Sequence, residues 1–201
     1  MKPIFILASS SPRRIEIMKK HNMNPIVIPS NVDETLEASM DNHEAVEFLA
    51  KKKGLHVVNL LSSDNPPVSL PCDTFPVVLA ADTVVYKEEI LGKPEDRNDA
   101  FRMLAKIRGT DHYVTTGVAI FCPHKAIEDV FSVDTKVTCE NYTDEDIEKY
   151  LDTDEPYDKA GAYAIQGLFK KHINAFDGFF DNVVGFPWTP IEEHLQKHGL
   201  I

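Results

Sequence analysis

The stretch Val77-Val78-Leu79-Ala80-Ala81-Asp82-Thr83-Val84-Val85-Tyr86 decides how the rest of the chain is read. It is apolar almost throughout, which predicts a central β-strand covered on both faces, because a strand with one solvated face would alternate. Asp82 interrupts the run. An ionised carboxylate inside such a strand is costly unless a cation or a metal pairs with it. Asp82 is therefore a candidate functional residue.

Outward from this strand, the amino terminus has the same strand-then-polar-turn form. Ile4-Phe5-Ile6-Leu7 predicts a buried strand and Ile15-Glu16-Ile17-Met18-Lys19-Lys20 a helix. Between them lie Ser9, Ser10 and Ser11, then Pro12 suited to the first helical position, then Arg13 and Arg14 in the first turn. A helix amino terminus already carries partial positive charge and unpaired N–H groups. Two arginines there make an anion, and phosphate in particular, a fitting resident. On composition alone, an ordinary capped helix with solvent-facing arginines fits equally well.

Pro25-Ile26-Val27-Ile28-Pro29 predicts a short strand, followed directly by Val32-Asp33-Glu34. A helix is expected from Asp41 or Asn42, with Val46, Leu49, Ala50, Lys53 and Val57 on one face. Lys53 thus falls on the apolar stripe, either snorkelling past the core or reaching an anion, while Lys51 and Lys52 point elsewhere. Residues 62–76 are rich in proline and turn formers and read as a surface insertion. Further on, a helix spans Ala100 to Ile107, a hairpin joins strands 112–121 and 130–139, and Thr143-Asp144-Glu145-Asp146 opens another helix. Residues 155–167 mix glycines and small residues with polar groups, permitting close backbone approach to a ligand. The last helix is expected to start with Thr189 as cap and Pro190 behind it.

The 201 residues carry a net charge of −11, from 32 acidic against 21 basic side chains. Such a balance disfavours duplex nucleic acid, which needs a basic footprint. No run approaches the roughly 20 apolar residues of a membrane span, and no secretory signal is visible. Cys72, Cys122 and Cys139 match neither a disulfide framework nor a zinc site, which points to a reducing, cytoplasmic setting.

The residues that stand out are cations (Arg13, Arg14, Lys53, Lys93, Lys159) and carboxylates (Glu34, Asp82, Asp158) at the ends or interruptions of apolar elements. Phosphate chemistry uses both: cations position an oligophosphate, carboxylates hold a divalent metal or take a proton from water. Neither G-x-x-x-x-G-K-[ST] nor G-x-G-x-x-G is present.

Leu7-Ala8-Ser9-Ser10-Ser11-Pro12-Arg13-Arg14 resembles the opening motif of the Maf family of nucleoside triphosphate pyrophosphatases. Val32-Asp33-Glu34, Leu49 to Lys53, Ala81-Asp82-Thr83-Val84-Val85, Leu91-Gly92-Lys93-Pro94, Asp158-Lys159-Ala160-Gly161-Ala162-Tyr163, Ile165-Gln166-Gly167 and Asn182 to Pro187 follow in the family's order. The resemblance implies an α/β fold: one domain over residues 1–201, an elongated mixed β-sheet flanked by helices, in two lobes with a central cleft, as in the inosine triphosphate pyrophosphatases. It implies hydrolysis of a nucleoside triphosphate to the monophosphate and pyrophosphate with a divalent metal cation, Mg2+ or Mn2+, by a cytoplasmic homodimer.

By the same resemblance Asp82 is the proton acceptor, and Glu34 and Asp82 hold the metal. Ser9, Ser11, Arg13, Arg14, Lys53, Lys93 and Lys159 bind substrate. Arg13, Thr83 and Gln166 match the discriminating positions of the branch resembling dTTP/UTP pyrophosphatases. The amide of Gln166 offers the donor and acceptor that a uracil or thymine edge requires. The alternatives are a 7-methyl-GTP pyrophosphatase and a non-catalytic regulator of septum formation in cell division. Three departures stand out: Gly54 for the usual alanine, costing that helix roughly 1 kcal/mol; a long 59–76 connection; and Leu168-Phe169-Lys170-Lys171 where small residues are usual.

Overall fold

The computed structural model describes residues 1–37 and 39–201. In chain order it runs β1 (Lys2–Leu7), α1 (Pro12–Lys20), β2 (Ile26–Val27), α2 (Asn42–Leu61), β3 (Thr74–Tyr86), β4 (Ile90–Leu91), α3 (Arg97–Ile107) and β5 (Asp111–Cys122). It continues with β6 (Ile127–Cys139), α4 (Asp144–Leu151), β7 (Ile173–Asp177), α5 (Phe180–Val184) and α6 (Trp188–Lys197). Seven strands make one mixed sheet in the order β2-β1-β3-β5-β6-β7, with β4 paired to β3. β1 lies parallel to β2 and β3, Leu7 facing Val27 on one side and Leu79 on the other. Parallel neighbours need crossovers, and α1 and α2 supply them. β4 on β3 and β7 on β6 are antiparallel. The α/β class expected from the sequence is the one found.

The chain divides into two compact units. The first comprises residues 1–82, 116–133 and 185–201. Its core gathers Ile6 and Ala8, Ala50 and Val57 of α2, Val78 and Ala80 of β3, and Ala119 and Phe121 of β5. α2 starts with Asp41 as cap, reciprocated by Glu44 in a capping box, which satisfies two orphan N–H groups. Val68 and Leu70 pack against this core, so the 62–76 segment is partly anchored, and its last three residues already belong to β3. α6 begins at Trp188, with Pro187 in the cap position, two residues earlier than a Thr189 cap would allow. The reason is burial: the Trp188 ring is enclosed and stacks on His21 with centroids 4.8 Å apart, whereas Thr189 is exposed.

The second unit comprises residues 83–115 and 134–184. Met103, Leu104 and Ile107 of α3, Ile147 and Leu151 of α4, and Val85, Val114 and Val137 of the strands form its core. Phe169 sits among the rings of Tyr142, Tyr150, Tyr163 and His172, at centroid distances of 5.0 to 5.3 Å. The aromatic departure after Gly167 is thus a packing anchor. β7 and α5 are short elements that periodicity did not disclose.

Candidate active site

In the first unit five segments supply the predicted polar residues. β3 carries Asp82, α2 carries Lys53, the loop after β2 carries Glu34, the β1–α1 turn carries Ser9 and Ser11, and the first turn of α1 carries Arg13 and Arg14. The Lys53 ammonium lies 2.6 Å from Asp82 Oδ1 and 2.9 Å from Glu34 Oε1. The side chains of Lys53 and Asp82 are 10% and 11% exposed and that of Glu34 is 54% exposed, so the triad runs from core to solvent. This resolves the two readings of Lys53. It does not snorkel; it is the cation that the carboxylate in β3 demands.

Arg14 is held by backbone. Its Nε donates to the Gly185 carbonyl at 2.9 Å and its Nη1 to the Ala81 carbonyl at 2.7 Å, immediately before Asp82. Nη1 also reaches Ser9 Oγ at 3.3 Å. Burial lowers the affinity of Arg14 for its proton, opposed by Asp82 and Glu34 and reinforced by Arg13, which places these four charges in one field. The guanidinium stays charged all the same. Pro12 opens α1 and Ser11 precedes it in the cap position, but the Ser11 side chain makes no capping bond. Its N–H donates instead to Ser9 Oγ at 3.2 Å. Ser9 Oγ thus accepts twice, which leaves its own O–H to donate to a ligand.

Lys52, which the helical stripe directs away from the core, also belongs here. Its Nζ donates to the Asp33 carbonyl at 2.5 Å and lies over the Phe48 ring. Asp33 Oδ1 in turn accepts from the Thr35 N–H and hydroxyl at 3.1 and 2.7 Å, which holds the Asp33 carboxyl below its usual range. Lys52 and Thr35 between them fix the loop that presents Glu34. Helical period places Lys52 outside the stripe, and nothing in the sequence tells that the loop returns to it.

The remaining predicted residues belong to the second unit. Thr83 follows Asp82 on β3, half-buried. Lys93 and Gln166 are exposed. The Gly161 N–H donates to the Gly92 carbonyl at 3.0 Å, joining the turn after Lys159 to the residue before Lys93. Lys159 Nζ donates to the Glu155 carbonyl at 2.8 Å and pairs with Asp158. Asp158 therefore serves Lys159. Glu155 is not among the residues the sequence singles out: it ties the 166–168 turn to α4, and no local pattern announces a contact across thirteen residues.

A divalent cation suits the carboxylates present. Glu34 and Asp82 both touch a single Lys53 atom, which puts them within reach of one ion, and carboxylate oxygens suit Mg2+ or Mn2+. Among the described residues no group of three His, Cys, Asp or Glu could hold a metal. Two carboxylates completed by substrate phosphates is a common arrangement for magnesium. No helix among the described residues is long and apolar enough to cross a membrane.

A family model described as "Maf: Maf-like protein" matches residues 4–198. The dTTP/UTP pyrophosphatase of Caldicellulosiruptor bescii is 44% identical over 195 residues, covering 96% of this chain and 94% of that protein. Those of Acetivibrio thermocellus and Bdellovibrio bacteriovorus are 39% and 38% identical, covering 97% and 98% of this chain and 95% and 100% of theirs.

Proposed function

This chain belongs to the Maf family, and on that footing we propose that it hydrolyses pyrimidine nucleoside triphosphates of the dTTP and UTP type to the monophosphate and pyrophosphate. The observation that carries the proposal is the Lys53 ammonium shared by Asp82 and Glu34, at 2.6 and 2.9 Å. A regulator acting only by contact has no use for a carboxylate inside a core strand. A hydrolase does, because the carboxylate is positioned once by its lysine and offers its second oxygen to a water.

In this reading Ser9, Ser11, Arg13 and Arg14 receive the triphosphate, with Lys53, Lys93 and Lys159 as further cations. The water oxygen attacks the α-phosphorus, and one water proton passes to Asp82. The bond from that phosphorus to the α–β bridging oxygen breaks, and pyrophosphate leaves with the electron pair. Arg14, anchored on the Ala81 carbonyl, sets the backbone ahead of Asp82. Glu34 and Asp82 would hold Mg2+ or Mn2+, which when bound draws charge from the phosphate oxygens. Arg13, Thr83 and Gln166 would select the base, the Gln166 amide matching the donor and acceptor of an imide edge.

Incubation with a panel of common and modified triphosphates and either metal tests this. Pyrophosphate is expected as first product, fastest from dTTP, UTP or dUTP. Orthophosphate as first product would contradict the reaction, and a dominant 7-methyl-GTP turnover would contradict the base assignment. Homodimeric assembly and a cytoplasmic location are parts of the same proposal, measured by light scattering and by fractionation.

A further inference from the structure

Glu155 joins three things in the second unit. Its Oε2 accepts the Leu168 N–H at 3.0 Å and its Oε1 accepts the Tyr150 hydroxyl of α4 at 2.9 Å. Its main-chain carbonyl accepts Lys159 Nζ at 2.8 Å. The carboxylate lies flat against residue 167, where a Cβ would overlap it, so only glycine admits this contact. The turn has backbone bonds of its own, a long one from the Gly167 N–H to the Ala164 carbonyl at 3.4 Å and one from the Lys170 N–H to the Gly167 carbonyl at 3.1 Å. Beyond it, Phe169 is locked in the aromatic core. Gln166, one residue before the clamp, keeps its side chain exposed.

A side chain that must read a base cannot hang on a loose turn, because discrimination between hydrogen-bonding edges depends on a fixed donor–acceptor geometry. We propose that Glu155 is a positioning residue for base selection: its carboxylate bridges α4 and the 166–168 turn and thereby presents the Gln166 amide to the nucleobase. The inference rests on the reading of this site as a nucleotide site. The side chain serves the base while the main chain serves Lys159, so a side-chain substitution separates the two.

The test is titration calorimetry with two probes, the non-hydrolysable α,β-imido-dUTP and inorganic tripolyphosphate, which lacks a base. Glu155→Gln, with one acceptor oxygen in the same shape, is expected to bind α,β-imido-dUTP about tenfold more weakly and tripolyphosphate within about threefold of the parent. Gln166→Ala should give the same pair of changes. Glu155→Gln added to Gln166→Ala should then change nothing further, since both act on one contact. Unchanged α,β-imido-dUTP affinity, equal loss for both probes, or an additive double variant overturns the role of Glu155. If Glu155→Gln does not fold, Tyr150→Phe, which removes only the Oε1 bond, must show the same base-selective loss. A parent protein that binds the analogue but releases no pyrophosphate from dUTP overturns the hydrolase reading, and the affinities still judge Glu155.

Discussion

Lys53 Nζ stands 2.6 Å from Asp82 Oδ1, a lysine from the apolar face of a helix meeting an aspartate inside the central strand. Each is unaffordable alone and tolerable together, because a buried charge without its partner strands several kcal/mol of desolvation. Lys53→Met should therefore lower stability by about 3–5 kcal/mol in chemical denaturation. Lys53→Met with Asp82→Leu should regain most of that loss and remain inactive. Full activity in the double variant would remove the pair from the reaction.

Lys52 acts one step further out, through the Asp33 carbonyl at 2.5 Å. Lys52→Ala frees the loop that carries Glu34 without touching Asp82. Supporting residues of metal ligands typically change affinity by about 10- to 100-fold, so the half-saturating Mn2+ concentration should rise about tenfold while kcat changes little. A metal titration of initial rates measures this, and an unchanged midpoint would show that Glu34 needs no such support.

Gly54 has a neighbour that explains it. A Cβ at this position would overlap the Phe121 ring and lie 3.4 Å from the Ala80 methyl carbon. Gly54→Ala gains about 1 kcal/mol of helix propensity but overpacks a filled core, at a cost of about 1–3 kcal/mol. The single variant should be less stable than the parent, and Gly54→Ala with Phe121→Leu more stable than the single. A stabilised Gly54→Ala would mean that the ring moves aside freely.

His112 is fully buried, its Nε2 2.7 Å from the Tyr163 hydroxyl. Burial, aided by Lys87 and opposed by Asp111, pulls its pKa from 6.5 to about 4. Because the unfolded chain takes up this proton first, stability falls as pH drops from about 6.5 to about 4 and is flat in this respect below. The loss is roughly 3 kcal/mol for a shift of this size. His112→Gln, which can still bond Tyr163, should flatten that part of the pH–melting curve; a curve of unchanged slope would place the titration elsewhere.

Much of this was legible in residue order. The apolar run around Asp82 demanded a central strand, Pro12 placed the start of α1, the cap candidates Asp41 and Asn42 placed that of α2, and the box at Thr143 that of α4. Such signals are local, set by periodicity and by backbone groups that need partners within a turn. Lys52, Glu155 and the start of α6 were not legible, because each is decided by a group distant in sequence. Asp33 lies 19 residues before Lys52, and Leu168 lies 13 after Glu155. Trp188 starts α6 because its ring fills a space beside His21 that no cap preference foretells.

The claim on which everything else depends is attack at the α-phosphorus, promoted by Asp82. It is tested most directly by hydrolysing dTTP in 18O-labelled water with the parent protein and with Asp82→Asn, and locating the label by mass spectrometry. One 18O is expected in the dTMP phosphate and none in the pyrophosphate, with a large loss of rate in the folded Asp82→Asn variant. Label in the pyrophosphate, or an Asp82→Asn rate equal to the parent's, would contradict it.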